Sequence, residues 1–171
     1  PIAFEVAKAL NAPLDVFVVR KLGVPGQEEL AMGAIASGDV RVLNKAVIES
    51  LQISDEEIEA EVVKERQELQ RREKLYRGER PVLNVQDRIV ILVDDGIATG
   101  STIKAAIEAL KKQKAHRIVV AVPVGPASTI EELKTLVDDV VCVSMPEMFF
   151  SISVWYDEFP QTSDDEVREL L

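Results

Sequence analysis

The sequence predicts an α/β protein built around a parallel β-sheet, and three observations support this prediction. An unbroken apolar, mostly β-branched run at Ile89–Val93 is typical of a strand that is buried on both faces of such a sheet. Directly after it, one helix face is marked by apolar residues at i, i+3, i+4 and i+7, namely Ile103, Ala106, Ile107 and Leu110. Two more apolar strands follow at residues 117–122 and 139–143, with a second amphipathic helix pattern between them. Strands that alternate with helices in this way form parallel βα units.

The length and composition favour one domain over residues 1–171, which is enough chain to bury a substantial core. The net charge is −10 and no basic stretch interrupts the excess of acidic residues, so we expect no nucleic-acid partner. A single cysteine, Cys142, excludes a disulfide within the chain and a cysteine-based metal site. No apolar run reaches the roughly 20 residues that span a bilayer. We therefore expect a cytoplasmic protein with no membrane partner.

The turn that follows Ile89–Val93 has the composition of a ligand-binding loop. Two adjacent carboxylates, Asp94 and Asp95, come first, and mostly small or hydroxyl residues occupy positions 96–102. Small residues let a ligand approach main-chain N–H groups, and the first turn of a helix directs its unpaired N–H groups and positive dipole end toward that ligand. Such a loop suits a phosphate. Because the carboxylates would repel a bare anion, we interpret them as partners for the hydroxyl groups, or the metal ion, of a sugar attached to that phosphate.

The stretch V-D-D-G-I-A-T-G-S-T resembles the 5-phosphoribosyl-1-pyrophosphate (PRPP) binding motif of type I phosphoribosyltransferases. Gly96 departs from the apolar residue that is usual at its position in that family. The resemblance implies a three-layer, parallel-sheet phosphoribosyltransferase fold of type I. An ordinary βα turn rich in Gly and Thr, or another nucleotide-binding βα domain such as a receiver domain, is the alternative interpretation.

The resemblance also implies a role for each residue of the site. Main-chain amides of residues 98–102, with the hydroxyl groups of Thr99 and Thr102, would anchor the 5′-phosphate of PRPP. Asp94 and Asp95 would hold the ribose hydroxyls, or water molecules on Mg²⁺, and favour positive charge on the ring. The full set of predicted PRPP-binding residues is Arg20, Lys21, Asp94, Asp95, Ala98, Thr99, Gly100, Ser101 and Thr102. Mg²⁺ is the expected cofactor, and it would be held through the substrate without a direct protein ligand.

Arg20 and Lys21 follow a predicted strand at residues 14–19, at the strand end where ligands collect in open α/β sheets. The resemblance assigns this pair to the pyrophosphate of PRPP, and Lys21 joins Asp94 and Asp95 as a predicted catalytic residue. A solvated pair of cations is the alternative. A helix pattern begins directly at Pro1, whereas the resembled family has a strand and a pyrophosphate loop before this helix. We therefore expect an upstream segment that completes the site.

Three further segments are predicted outside the parallel sheet. Residues 31–50 predict a two- or three-stranded antiparallel excursion, and Ser54 with Glu57 forms a capping box that begins a long charged helix over residues 54–77. This helix has few apolar residues, so we expect it to be exposed along much of its length. By resemblance it corresponds to a mobile lid, although a solvated helix face is the alternative. The aromatic tail at residues 146–171 corresponds to a hood over the acceptor, or else plugs one end of the sheet.

The predicted function is phosphoribosyl transfer, in which a base nitrogen replaces pyrophosphate on Mg-PRPP; this is the activity of a pentosyltransferase. Ala98 stands where members of the family that act on 6-oxopurines have an aspartate, which disfavours a hypoxanthine- or guanine-type acceptor. The alternative function is a non-catalytic, PRPP-sensing regulatory protein. We also expect a homo-oligomer, most simply a dimer.

Overall fold

The computed structural model describes the backbone of residues 1–171 and every side chain except that of Glu29. Within this part of the chain the strands form two three-stranded sheets, with the orders β1-β2-β3 and β4-β5-β6. The strands are β1 Val19–Val24, β2 Gln27–Ala36, β3 Val40–Leu43, β4 Ile89–Val93, β5 Arg117–Val124 and β6 Asp139–Ser144. The helices are α1 Ile2–Leu10, α2 Lys45–Leu51, α3 Asp55–Arg77, α4 Ser101–Lys112, α5 Ala127–Lys134 and α6 Asp164–Leu170, with a 3₁₀ turn at Ser153–Trp155.

The second sheet confirms the predicted α/β architecture, because β4, β5 and β6 are parallel and α4 and α5 connect them. The register pairs Val93 with Ala121 and Ala121 with Val141, so the carboxyl ends of β4, β5 and β6 lie along one edge. The core below this edge contains Ile97, Ile103, Ile107, Leu110, Ile118, Val120, Val122, Ile130 and Leu133. The loop after β4 therefore projects from a well-packed layer.

The prediction that β4 is buried on both faces is wrong. Val90 and Leu92 pack against the core, whereas Ile89 and Ile91 on the opposite face are 63% and 38% exposed. Val141 and Val143 of β6 lie on the same exposed face, because paired residues of parallel strands point to the same side. A continuous apolar run does not reveal that only one of its two faces is covered.

The predicted strand at residues 14–19 is also wrong, because β1 begins only at Val19 and pairs antiparallel with β2. The backbone before it is bound by side chains and by one main-chain hydrogen bond, from Ser37 N–H to Val18 C=O. Val16 N–H donates to the Asp15 carboxylate, and Val18 N–H donates to Ser37 Oγ at 2.9 Å. The predicted antiparallel excursion is confirmed, although it begins earlier, at β1, and its last part is helix α2.

Helix α3 confirms the long helix predicted over residues 54–77. Ser54 Oγ accepts from Glu57 N–H and the Glu57 carboxylate accepts from Ser54 N–H, which completes the predicted capping box. The expectation of exposure along much of the helix is only partly right, because one face is buried. That face carries Ile58, Val62, Glu65 and Leu69, and it packs against β1. Its single carboxylate, Glu65, is only 8% exposed.

The carboxyl-terminal segment divides into two parts. Residues around the 3₁₀ turn lie beside the loop after β4, whereas α6 packs against α3, where Tyr76 Oη donates to the Asp164 carboxylate at 2.8 Å. Ser163 caps α6 by accepting from Glu166 N–H. Among the described helices, none combines the length and the apolar character that a membrane crossing needs.

Candidate functional site

The loop after β4 is fixed at its base by strand β5. Asp94 N–H donates to Ala121 C=O, and Ile97 N–H donates to Val124 C=O at 2.9 Å. The Ile97 side chain is 2% exposed and belongs to the main core. The loop therefore has a buried anchor at its centre, while Ala98 and Thr99 beyond that anchor are exposed.

Helix α5 supports the far side of the loop. Thr129 Oγ1 donates to Ala98 C=O at 2.9 Å, and Gly100 adopts a left-handed conformation with φ of 72° as the N-cap of α4. A Cβ atom at Gly100 would lie 3.0 Å from Thr129 Cγ2, so both the backbone conformation and the nearby side chain favour glycine there. Thr129 was not predicted from the sequence, because it lies about 30 residues further along the chain.

Several main-chain N–H groups of the loop are available to a ligand. Ser101 N–H donates weakly to Thr99 Oγ1 at 3.4 Å. Five more main-chain N–H groups make no hydrogen bond to any described residue, namely those of Ala98, Thr99, Gly100, Thr102 and Ile103. They lie at or just before the start of α4, where the helix dipole contributes positive potential. The Thr99 and Ser101 hydroxyl groups are 3.0 Å apart and add further donors. This arrangement can bind a phosphate through main-chain amides.

The two predicted carboxylates are partly desolvated at the carboxyl end of β4. Burial raises the pKa of Asp94 to about 6, although the hydrogen bond from Asp95 N–H to Asp94 Oδ1 at 3.0 Å acts in the opposite direction. Burial also raises the pKa of Asp95, although a hydrogen bond from its own main-chain N–H acts in the opposite direction. Desolvated carboxylates of this kind gain from a ligand that supplies hydroxyl donors or a cation.

The hood segment contacts the loop at two points. Tyr156 Oη donates to Asp95 C=O at 2.5 Å, and the Ile152 side chain fills the space over Gly96. A Cβ atom at Gly96 would lie 2.7 Å from Ile152 Cγ2, so Gly96 makes room for Ile152. Neither Ile152 nor Tyr156 was predicted individually. The departure of Gly96 from the usual apolar residue was the available signal, and packing from the hood is its physical reason.

The structure separates the side chains of Arg20 and Lys21, because successive residues of a strand point to opposite faces. Arg20 shares its face with Leu22 and points toward α3, where its Nε and Nη2 atoms each lie 2.6 Å from Glu65 Oε2. Lys21 shares the other face with Val19, which packs near Ala109 of α4. Of the two cations, Lys21 is therefore on the side of the sheet that faces the helix of the loop.

The carboxylates of Asp94 and Asp95 suit a hard cation that is shared with a ligand. In the part of the chain that the structure describes, no group of three or more potential metal ligands is present. Mg²⁺ typically retains several water molecules and uses one or two carboxylates together with substrate phosphates. The residues present therefore fit Mg²⁺ that arrives with a phosphorylated substrate, and they do not form a protein cage.

A family model described as the phosphoribosyl transferase domain matches residues 1–158 of this chain. Proteins from two strains of Mycobacterium tuberculosis, each provisionally named a phosphoribosyl transferase, are 48% identical over 171 residues. The alignment covers all of this chain but 39% of each relative, so the chain spans about two fifths of the length of these curated relatives. A shorter match of 36 residues, 56% identical, links 21% of the chain to 20% of the bifunctional protein PyrR of Haemophilus influenzae.

The crystal structure of TT1426 from Thermus thermophilus superposes with a TM-score of 0.86. The two chains are 36% identical, and the match covers 99% of this chain and 80% of TT1426. Together with the family match, this similarity confirms the predicted α/β fold and the family resemblance that the loop motif indicated.

Proposed function

This chain belongs to the phosphoribosyl transferase family, and from that premise we propose that it binds Mg-PRPP and transfers the phosphoribosyl group to a small acceptor. The proposal rests on two features that follow one another directly along the chain. Desolvated Asp94 and Asp95 end β4, and unengaged main-chain N–H groups follow them at the start of α4. A ribose carrying a 5′-phosphate presents hydroxyl groups, which suit the carboxylates, and a phosphate, which suits the N–H groups.

In the proposed reaction, a nitrogen of the acceptor forms a bond to C1 of the ribose. The bond from C1 to the pyrophosphate oxygen breaks, and its electron pair leaves with pyrophosphate. Positive charge develops on the ring as that bond breaks, and the carboxylates of Asp94 and Asp95 stabilise it. Main-chain amides of residues 98–102 hold the 5′-phosphate and thereby fix the position of C1. Mg²⁺, when bound, neutralises charge on the pyrophosphate.

Lys21 is the proposed protein contact for the departing pyrophosphate, because its side chain lies on the sheet face that is turned toward α4. Arg20 is engaged by Glu65 through Nε and Nη2. Its Nη1 group makes no hydrogen bond to any described residue and is therefore available to donate to a ligand. The catalytic set that we propose is therefore Asp94, Asp95 and Lys21, with Arg20 in a supporting position.

The acceptor would lie between the loop and the hood. Met148 and Phe150, which precede Ile152 in the hood segment, are 70% and 79% exposed, and Trp155 is 44% exposed. Aromatic and thioether side chains provide stacking surface for a planar base. Ala98 offers no proton-handling group, so the proposed acceptor is a nitrogenous base that does not need one at this position.

A non-catalytic PRPP sensor is the second candidate function, and Ala98 is the observation that favours it. A sensor needs the ribose and phosphate contacts but does not need a group that handles a proton of the acceptor. Both candidates require the same loop, so binding of PRPP alone does not distinguish them. Release of pyrophosphate distinguishes the enzyme from the sensor.

The experiment is a pyrophosphate-release assay with Mg-PRPP over a set of purine, pyrimidine and pyridine bases. Release that depends on one base, and that falls about 100-fold or more in the Asp94→Asn, Asp95→Asn double variant, would support transfer. Lys45→Gln, a change at an exposed lysine at the start of α2, is the matched control and should retain full activity. Binding of PRPP without release from any base would favour the sensor, and absence of PRPP binding would contradict both.

A further inference from the structure

The loop that is proposed to hold the 5′-phosphate contains no cation of its own. Residues 94–102 include two carboxylates and no basic residue, and the first basic residue after them is Lys104 in α4. A phosphate monoester carries about −1.5 to −2 charges at pH 7. The start of a helix contributes roughly half a positive charge. Main-chain amides therefore balance only part of the charge of the phosphate, and a cation at this end of α4 would balance more of it.

The side chain of Lys104 extends back toward this loop. Helical side chains point toward the amino terminus of their helix, and one turn rises about 5.4 Å. A lysine that lies one turn after Gly100 can therefore bring its ammonium group level with that residue. A Cβ atom at Gly100 would lie 3.5 Å from Lys104 Cε, so the end of the lysine side chain packs beside the N-cap of α4. The side chain is 31% exposed, which leaves it accessible from solvent.

Helix α5 supplies the present partner of this lysine. Lys104 Nζ donates to Glu132 Oε2 at 2.7 Å. Glu132 lies one turn after Thr129, which supports the loop at Ala98 and Gly100, so one face of α5 contacts the loop and also holds the lysine. The Glu132 side chain is 55% exposed, and ion pairs at exposed positions are weak. A hydrogen bond from an ammonium group to a phosphate is charge-assisted and stronger.

We propose that Lys104 is a further binding residue for the 5′-phosphate, and that Glu132 holds its ammonium group until the phosphate replaces the carboxylate. The inference takes the identity of the ligand from the proposed function, but it requires only a phosphate at the start of α4 and not the transfer reaction. Because Glu132 competes with the ligand for the lysine, the two members of this ion pair have opposite effects on affinity. A pair that only joined α4 to α5 would give effects of the same sign, since loss of either partner breaks it.

The test is a double-mutant cycle on the full chain, measured by isothermal titration with ribose 5-phosphate and, in a separate arm, with Mg-PRPP. The cycle compares the original protein with Lys104→Gln, Glu132→Gln and the variant that carries both changes. Lys111→Gln on α4 and Glu131→Gln on α5 are the matched controls, because each makes the same charge change at an exposed member of a different ion pair. Circular dichroism checks that each variant is folded.

We expect Lys104→Gln to weaken binding of both ligands at least about tenfold, because a hydrogen bond to a charged group is lost. Glu132→Gln should strengthen binding about two- to fivefold, since the lysine no longer has a competing partner. In the Lys104→Gln background, Glu132→Gln should change the affinity less than about twofold, and neither control should exceed that limit.

Three results would overturn the role of Lys104 while leaving the proposed function intact. They are unchanged affinity in Lys104→Gln, weakening of similar size in both single variants, and strengthening by Glu132→Gln that persists without the lysine. If the expected pattern holds but no base releases pyrophosphate, the phosphate contact is supported and only the transfer reaction is contradicted. Failure of the original protein to bind either ligand would overturn the proposed function and this inference together.

Discussion

Arg20 of β1 and Glu65 of α3 form an ion pair in which two guanidinium nitrogens lie 2.6 Å from one carboxylate oxygen. Glu65 is the one carboxylate on the buried face of α3, between Val62 and Leu69. Such a pair contributes little net stability, since desolvation offsets the attraction, but removal of one partner leaves a buried charge. The pair joins the predicted lid helix to the strand that carries Lys21.

We expect Arg20→Ala to destabilise the protein by about 2–4 kcal/mol, because buried Glu65 then keeps only a 4.0 Å contact with the exposed ammonium group of Lys64. The double variant Arg20→Ala, Glu65→Leu should recover much of that loss, since the site then contains no charge. Urea denaturation monitored by circular dichroism measures both. The exposed pair of Lys134 and Glu131 provides the control, and Lys134→Ala should have an effect below about 1 kcal/mol. Equal destabilisation by the single and double variants would contradict this account of the pair.

Gly96 and Ile152 provide a prediction about the hood. Gly96→Ala places a Cβ atom 2.7 Å from Ile152 Cγ2, so the hood must shift away from the loop. The only tryptophan of the chain, Trp155, lies three residues after Ile152, so its fluorescence should report the shift. Adding Ile152→Ala removes the clashing atoms and should restore the spectrum toward that of an Ile152→Ala single variant. An unchanged spectrum in Gly96→Ala would show that the contact does not position the hood.

Asp94 should lower the stability of the ligand-free protein at neutral pH. The folded-state pKa of about 6 is above the usual value for aspartate, so the protonated form is favoured by folding. This stabilising contribution is fully present below about pH 4 and is lost as pH rises through about 6. We therefore expect Asp94→Asn to be more stable than the original protein by on the order of 1–3 kcal/mol at pH 7.5. Near pH 4 the two should be nearly equal.

Asn can retain the hydrogen bond from Asp95 N–H through its side-chain oxygen, which makes Asp94→Asn a conservative test. Denaturant unfolding curves at the two pH values measure the difference. The account would be contradicted if Asp94→Asn were less stable than the original protein at pH 7.5, or if its free energy of unfolding changed equally at both pH values. Either result would show that burial does not disfavour the ionised carboxylate.

The same pKa predicts how PRPP affinity depends on pH. Ribose hydroxyls donate to the ionised carboxylate, so protonation of Asp94 below pH 6 should weaken binding by up to about tenfold per pH unit. The phosphates of PRPP also titrate, and Asp94→Asn serves as the reference that carries only this ligand contribution. The affinity ratio between the original protein and the variant should increase from pH 5 to pH 7.5. A ratio that is independent of pH would remove Asp94 from the contact.

The local features of this fold were predictable, because they depend on residues that are close in sequence. The capping box of Ser54 and Glu57 and the strand, loop and helix around Asp94 follow from short patterns. The errors have a common cause in contacts between distant segments. Residues 14–18 failed to form a strand because Arg77 and Ser37, distant in sequence, engage their backbone groups.

The site likewise combines features that are set by neighbouring residues with features that are set by distant segments. The carboxylates and the small residues of the loop were visible in one continuous stretch, whereas Thr129 and Tyr156 reach the loop from later segments. The separation of Arg20 from Lys21 follows from strand alternation once the strand boundaries are known. Their placement in an antiparallel strand was not predictable, because the pairing partner β2 lies across a turn whose register depends on tertiary packing.

Isothermal titration of the folded chain with PRPP in the presence of Mg²⁺ tests the central claim most directly. The account predicts binding of one PRPP per chain, abolished or weakened at least about 100-fold by the Asp94→Asn, Asp95→Asn double variant and unaffected by Lys45→Gln. Absence of binding at millimolar PRPP, or equal binding by the double variant, would contradict the claim that this loop and its two carboxylates hold a ribose phosphate.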